Sequence, residues 1–224
     1  MKNEPGFIPF KTRWGGMPYA SPINDDSGAL WYSYNVGGVH VIVLCAYADF
    51  SATSPMVIFL KNDLAAVNRS VTPWVIAVWH PPWYNTNTKH YLDGDSMRRA
   101  IEPMLLAYRV NAVFVGHVHA YQRTHMVANN TVVDPSTGAG IYHFMVGISG
   151  KELYQVWRPD NYTWLATRDA TFWGTSYLWV PNATHARFTV NCASGDGYAC
   201  PSTTIDTFWF TNRACASRPC LPTL

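Results

Sequence analysis

The sequence predicts an α/β fold, in which parallel strands joined by crossover helices are completed by mostly antiparallel strands. Three observations carry that expectation. Apolar runs rich in β-branched residues recur at Val39–Cys45, Trp74–Trp79 and Ala112–Val115, as strands covered on both faces should. The two segments between them carry helical periodicity. Beyond residue 130, short runs separated by Gly, Asn and Pro replace the helices.

Each element follows from local chemistry. Residues 1–30 predict irregular structure, with Gly15–Gly16, Pro18, Pro22 and a turn cluster from Asn24 to Gly28. Leu30–Val36 alternates as a strand, and Gly37–Gly38 then turns into the run from Val39. Ser54–Pro55 predicts an N-cap with Pro at the first helical position. Met56, Phe59, Leu60, Leu64 and Val67 then share one helical face. Asp95 is expected to cap a second helix, whose stripe is Met97, Ile101, Met104, Leu105 and Tyr108. Residues 39–116 therefore read strand, helix, strand, helix, strand, and crossovers of this length favour parallel neighbours. Ile141–Val146, Ser176–Val180, Ala186–Val190 and Ile205–Phe210 predict the short strands of an antiparallel sheet.

Composition narrows the function classes. The 224 residues are 48% hydrophobic, 15% aromatic and 13% charged, a charge content about half that of an average globular protein. So many aromatics exclude disorder for most of the chain. A net charge of +2 gives no electrostatic ground for a nucleic-acid partner or an anionic membrane surface. The longest apolar runs are about seven residues against the roughly twenty a bilayer requires, so no membrane span is expected. Cys45, alone in an apolar run, reads as a buried free thiol. Cys192, Cys200, Cys215 and Cys220 crowd into a tail at residues 191–224, set apart from a main region at residues 1–190. Their spacings match no zinc-ligand pair, so disulfides of open connectivity are expected. With sequons at Asn68, Asn129, Asn161 and Asn182, they favour a secreted glycoprotein in an oxidising compartment. The opening MKNEPGFIPF nonetheless lacks the pattern of a signal peptide.

The chemistry is expected where parallel strands end. Trp74–Trp79 runs into His80, and Ala112–Val115 runs into Gly116-His117-Val118-His119. Neighbouring strands lie about 4.8 Å apart, little more than two imidazoles sharing a metal at about 2.1 Å require. Gly116 is expected to let the backbone turn sharply or approach a ligand. His117 and His119, two apart, project to one side of an extended segment. Three histidines at strand exits thus form a metal constellation. His40, His125, His143 and His185 lack such convergence and read as structural or surface residues.

Two blocks give the sequence a family. Ala77-Val78-Trp79-His80-Pro81-Pro82-Trp83-Tyr84-Asn85 resembles the V-x-x-H-x-P-W-Y-N segment of plant-type, high-molecular-weight purple acid phosphatases. Gly116-His117-Val118-His119-Ala120-Tyr121-Gln122-Arg123-Thr124 resembles their G-H-x-H-A-Y-E-R block. Pro18–Tyr19, Leu30-Trp31-Tyr32-Ser33, Thr72-Pro73-Trp74, Arg168–Asp169 and Phe172-Trp173-Gly174 extend the likeness over roughly residues 7–190.

The resemblance implies a metallophosphoesterase-type β-sandwich flanked by helices, here incomplete. It implies hydrolysis of phosphate monoesters at acid pH by a binuclear centre of Fe(III) and a divalent ion, Zn, Mn or Fe. His80 and His117 would bind the divalent ion and His119 the ferric ion. His90 would contact phosphate and protonate the leaving group, and Lys89, standing for a second family histidine, would bind phosphate. Gln122 replaces the usual Glu, and Gly147-Ile148-Ser149-Gly150 stands where G-D-G-G is common.

The other four ligands of the family come from the upstream blocks G-D-x-G, G-D-x-x-Y and G-N-H-E, none of which the sequence carries. Gly195-Asp196-Gly197-Tyr198 has the wrong spacing and position to replace them. The expectation is a chain that begins just past G-N-H-E and is inactive alone, within a full-length acid phosphatase. The alternative is a phosphatase-fold remnant without catalysis, acting as a binding or regulatory protein. A third, unrelated reading is a sugar-binding β module using its many Trp residues.

Overall fold

A computed structural model of the chain describes residues 7–14, 29–159, 161–193, 200 and 202–213. The turn residues from Gly15 to Gly28, with Pro18–Tyr19 among them, lie outside the described residues, as do Gly195–Tyr198, Cys215 and Cys220. Within the stretch expected to be irregular, a short helix α1 spans Ile8–Trp14 and buries none of its side chains.

Strands β1 (Tyr32–Val36) and β2 (Val39–Val43) form an antiparallel hairpin, closed by Gly37 in the left-handed region with φ +56°. Helix α2 (Pro55–Ala66) begins as its sequence dictates: the Ser54 hydroxyl accepts from the Val57 N–H and Pro55 takes the first turn. Strand β3 (Trp74–Trp79) follows, then helix α3 (Asp95–Ala107) and strand β4 (Ala112–Val115). β2, β3 and β4 pair in parallel, the arrangement expected of crossover helices. Gly94, not Asp95, is the N-cap of α3 and makes no side-chain cap bond. The Asp95 carboxylate is instead engaged by the Arg98 and Arg99 guanidiniums of its own first turns.

The chain then doubles back. β5 (Tyr121–Thr124) and a small hairpin of β6 (Val127–Ala128) and β7 (Thr131–Val132) precede β8 (Tyr142–Val146) and β9 (Leu165–Asp169). β8 was expected in an antiparallel sheet, yet it slots between β4, to which it is parallel, and β5, to which it is antiparallel. A mixed seven-stranded sheet of order β1-β2-β3-β4-β8-β5-β9 results. β10 (Gly174–Trp179), β11 (His185–Cys192) and β12 (Thr204–Thr211) form a separate antiparallel sheet. A Cys192–Cys200 disulfide lies in the connection from β11 to β12.

Period-two alternation sorts the large sheet onto two cores. Ile42, Val75, Ala77, Trp79, Val113 and Val115 face the helices and pack with Leu60, Met97, Ile101 and Leu105. Val39, Val41, Trp74, Ala112 and Phe144 face the small sheet and meet Ala186, Phe188, Val190 and Phe210. This is a β-sandwich with helices over one outer face. Each large apolar side chain sealed in it contributes roughly 1.5–3 kcal/mol. Among the described residues, no helix is long and apolar enough to cross a membrane.

Candidate functional site

β3 and β4 end level, because Trp79 is in register with Val115. The Gly116 N–H donates to the His80 carbonyl at 3.0 Å, which locks the two strand exits together. The His80 and His117 rings then stand edge-on with centroids 4.7 Å apart, and the His90 ring lies 3.9 Å from that of His117. Three of the four histidines singled out in the sequence are thereby in one row.

Asp93, which sequence reasoning passed over, ties the row together. Its Oδ2 accepts from His90 Nδ1 at 3.0 Å and from His117 Nε2 at 3.1 Å. One ligand atom from each of His90, Asp93 and His117 lies within 4.8 Å of the others. An acidic residue three after His90, on the loop that enters α3, was the available signal.

His119 leaves the row. The segment is not extended, because His117 itself adopts φ +63°. His119 Nδ1 donates to the Glu152 carbonyl at 2.8 Å, and its ring stacks on Tyr154 at 4.3 Å. That bond fixes the proton on Nδ1 and leaves Nε2 as a lone-pair donor, the tautomer a metal ligand needs. Tyr154 also lies 5.9 Å from the His90 ring and 5.9 Å beneath the Lys89 ammonium, so it links His119 back to the other groups.

Within the chain itself, Gly116 is not sterically required. A Cβ there would meet only His80 Nδ1, at an ordinary 3.8 Å. The glycine the site requires is Gly147, at the end of β8, where a Cβ would sit 2.0 Å from the Val118 carbonyl oxygen. Only a residue without a side chain lets β8 run so close to the His117–His119 segment. Gly94 does the same at the start of α3, where a Cβ would lie 2.4 Å from the Pro82 carbonyl oxygen.

The loop bearing His90 is held from beneath. Asn85 Nδ2 donates to the carbonyls of Lys89 and His90. The buried Gln122 accepts from the Thr86 N–H and hydroxyl through Oε1 and donates to the Tyr84 carbonyl through Nε2. The Tyr84 hydroxyl donates to Glu102 at 2.5 Å, and Arg98 donates to the other oxygen of that carboxylate.

Electrostatics follow from this crowding. Burial, and then the neighbouring His117, His119 and His90, hold the His80 pKa below its ordinary value. His80 therefore keeps a free nitrogen lone pair further into acid than an isolated imidazole does. Partial burial opposes ionisation of Asp93, but the bonds from His117 and His90 outweigh it and lower its pKa. His143 is enclosed between Trp83 and Tyr84, and burial drives its pKa down to about 3. It is a neutral core residue. His40 is structural as well: its Nε2 meets Asp63 at 2.8 Å, and Asp63 also accepts from Ser33. His125 and His185 are exposed.

With that geometry established, similarity to known proteins can be stated. The family model for calcineurin-like phosphoesterases matches residues 5–121. The chain is 41% identical over 188 residues to purple acid phosphatase 18 of Arabidopsis thaliana, covering 82% of this chain and 40% of that protein. It is 34% identical over 223 residues to a phosphoenolpyruvate phosphatase of Allium cepa, covering 94% of this chain and 44% of the relative. The chain thus spans less than half the length of these relatives. In fold it is similar to a purple acid phosphatase from yellow lupin seeds, with a TM-score of 0.70 at 22% identity, over 84% of this chain and 34% of that one.

Proposed function

The chain belongs to the calcineurin-like phosphoesterase family, and from that premise we propose that it supplies part of the active centre of an acid phosphatase hydrolysing phosphate monoesters. The single observation that carries the reading is the convergence of His80, His117 and His90 at the level ends of two parallel strands. Donor chemistry fits a metal there. Imidazole nitrogen suits zinc, iron and similar ions, and the Glu152 carbonyl orients His119 for the same task.

In this reading His80 and His117 hold the divalent ion, Zn, Mn or Fe, and His119 holds Fe(III). When bound, such a pair supplies hydroxide at acid pH and neutralises charge on the phosphoryl group. The residues of the chain do the rest. His90, oriented by Asp93, gives a proton to the departing alkoxide. The Lys89 ammonium stabilises phosphate oxygens as a mobile point charge. Four further ligands belong to blocks this sequence does not carry, so turnover is proposed for a protein that joins those blocks to these histidines. A second reading is a phosphatase-fold protein that binds without turnover.

Joining the block-bearing segment of a curated relative to this chain tests the choice. The expected outcome is metal-dependent hydrolysis of p-nitrophenyl phosphate at acid pH that the chain alone lacks and that His117→Ala abolishes. No hydrolysis by the joined protein would leave the second reading. We also propose an extracytoplasmic, glycosylated protein: Asn68, Asn129, Asn161 and Asn182 are all exposed, and the Cys192–Cys200 disulfide suits an oxidising compartment.

A further inference from the structure

We propose that His90, Asp93 and His117 form a seat for one zinc ion, separate in composition from the His80, His117 and His119 set and sharing only His117 with it. Two imidazole nitrogens and one carboxylate oxygen are the donor set of an open, three-ligand zinc site, with water completing the tetrahedron.

The atoms are already gathered. Asp93 Oδ2 lies 3.0 Å from His90 Nδ1 and 3.1 Å from His117 Nε2, and all three ligand atoms lie within 4.8 Å of one another. Ligand atoms bonded to one zinc at about 2.1 Å and spread tetrahedrally stand roughly 3.4 Å apart. Seating the ion requires the two hydrogen-bonded contacts to open by a few tenths of an ångström and the His90–His117 pair, now within 4.8 Å, to settle at roughly 3.4 Å. The cation replaces two shared protons, and the carboxylate balances part of its charge.

The backbone holds these ligands in place at a cost. His90, Leu92 and His117 all lie in the left-handed region, with φ of +55°, +71° and +63°. Non-glycine residues persist there only when their surroundings over-determine them. The surroundings are Asn85, which grips the carbonyls of Lys89 and His90, and the close approach of Gly94 to Pro82. A ligand set fixed before the ion arrives loses little order on binding it.

Occupation has a chemical consequence. An ion on this seat takes the Nδ1 of His90 and the Nε2 of His117, removing the proposed proton donor and one ligand of the His80 pair together. The seat is therefore inhibitory toward the hydrolysis proposed above, although its existence does not rest on that hydrolysis.

Calorimetric titration of the purified 224-residue chain with Zn²⁺ tests it, with Co²⁺ visible absorption as a second probe of nitrogen and oxygen coordination. The wild-type chain should bind one ion with a tetrahedral cobalt spectrum. Asp93→Asn and His90→Gln should each weaken binding by more than the roughly 10–100-fold that loss of an outer partner costs. His119→Ala should change affinity by less than about twofold. Circular dichroism of each variant establishes that it is folded. Binding by a folded Asp93→Asn chain within twofold of wild type would overturn the proposal, as would loss of binding in a folded His119→Ala chain. Either result leaves the phosphatase reading standing. Conversely, an Asp93-dependent ion in a protein that never hydrolyses phosphoesters would sink that reading and keep the seat.

Discussion

At the scale of single residues, the site depends on side chains whose roles their types only half disclose. The amide of Gln122 is used at both ends, accepting from Thr86 and donating to the Tyr84 carbonyl. A carboxylate would keep the first bonds and set a negative oxygen against a carbonyl. Gln122→Glu is therefore expected to destabilise the fold by about 1–3 kcal/mol, measured by urea denaturation at neutral pH. His143 gives a pH signature. Its folded pKa, near 3, lies below the unfolded value of about 6.5. Below pH 6.5 the unfolded chain takes up a proton that the native chain refuses. The stability present above pH 6.5 is then lost at about 1.4 kcal/mol per unit as pH falls toward 3. The melting midpoint should drop between pH 6.5 and about 5, before ordinary carboxylates titrate, and His143→Phe should flatten the drop. An unchanged slope in that variant would show that His143 does not carry it.

Secondary-structure elements were readable in proportion to how local their causes are. The Gly37–Gly38 hairpin, the Ser54–Pro55 helix start and the apolar runs of β2, β3 and β4 are written in contiguous residues, and all stand where expected. Two histidines at strand exits follow from the same local signals once the strands are parallel. What the sequence hid is set by distant contacts. β5 follows directly on the His117–His119 segment, and β8 joins β4 in parallel, because a sheet edge elsewhere in the chain receives them. Asp93 escaped notice because its partners are 3 and 24 residues away. The glycines the chain's own packing requires were also hidden. Gly116→Ala should be neutral or stabilising by up to about 1 kcal/mol, since its added methyl meets nothing closer than 3.8 Å. Gly147→Ala should cost about 1–3 kcal/mol and disturb zinc binding, because the methyl collides with the Val118 carbonyl. Thermal denaturation of the two variants side by side decides the matter, and equal effects would refute the assignment.

At the scale of the whole molecule, the two cores do different work. The face shared with the small sheet is packed with the aromatic side chains Trp74, Phe144, Phe188 and Phe210. The face under α2 and α3 carries the loops that bring His90 and Asp93 to the strand ends. The chain spans less than half the length of the relatives it matches. The account stands on His117 as a metal ligand, whether its partner is His80 or the His90–Asp93 pair. Anomalous diffraction at the zinc edge, from crystals of this chain grown with Zn²⁺, is the most direct test. The account predicts a peak about 2.1 Å from a nitrogen of His117. A zinc-bearing crystal with no peak at that imidazole would contradict it.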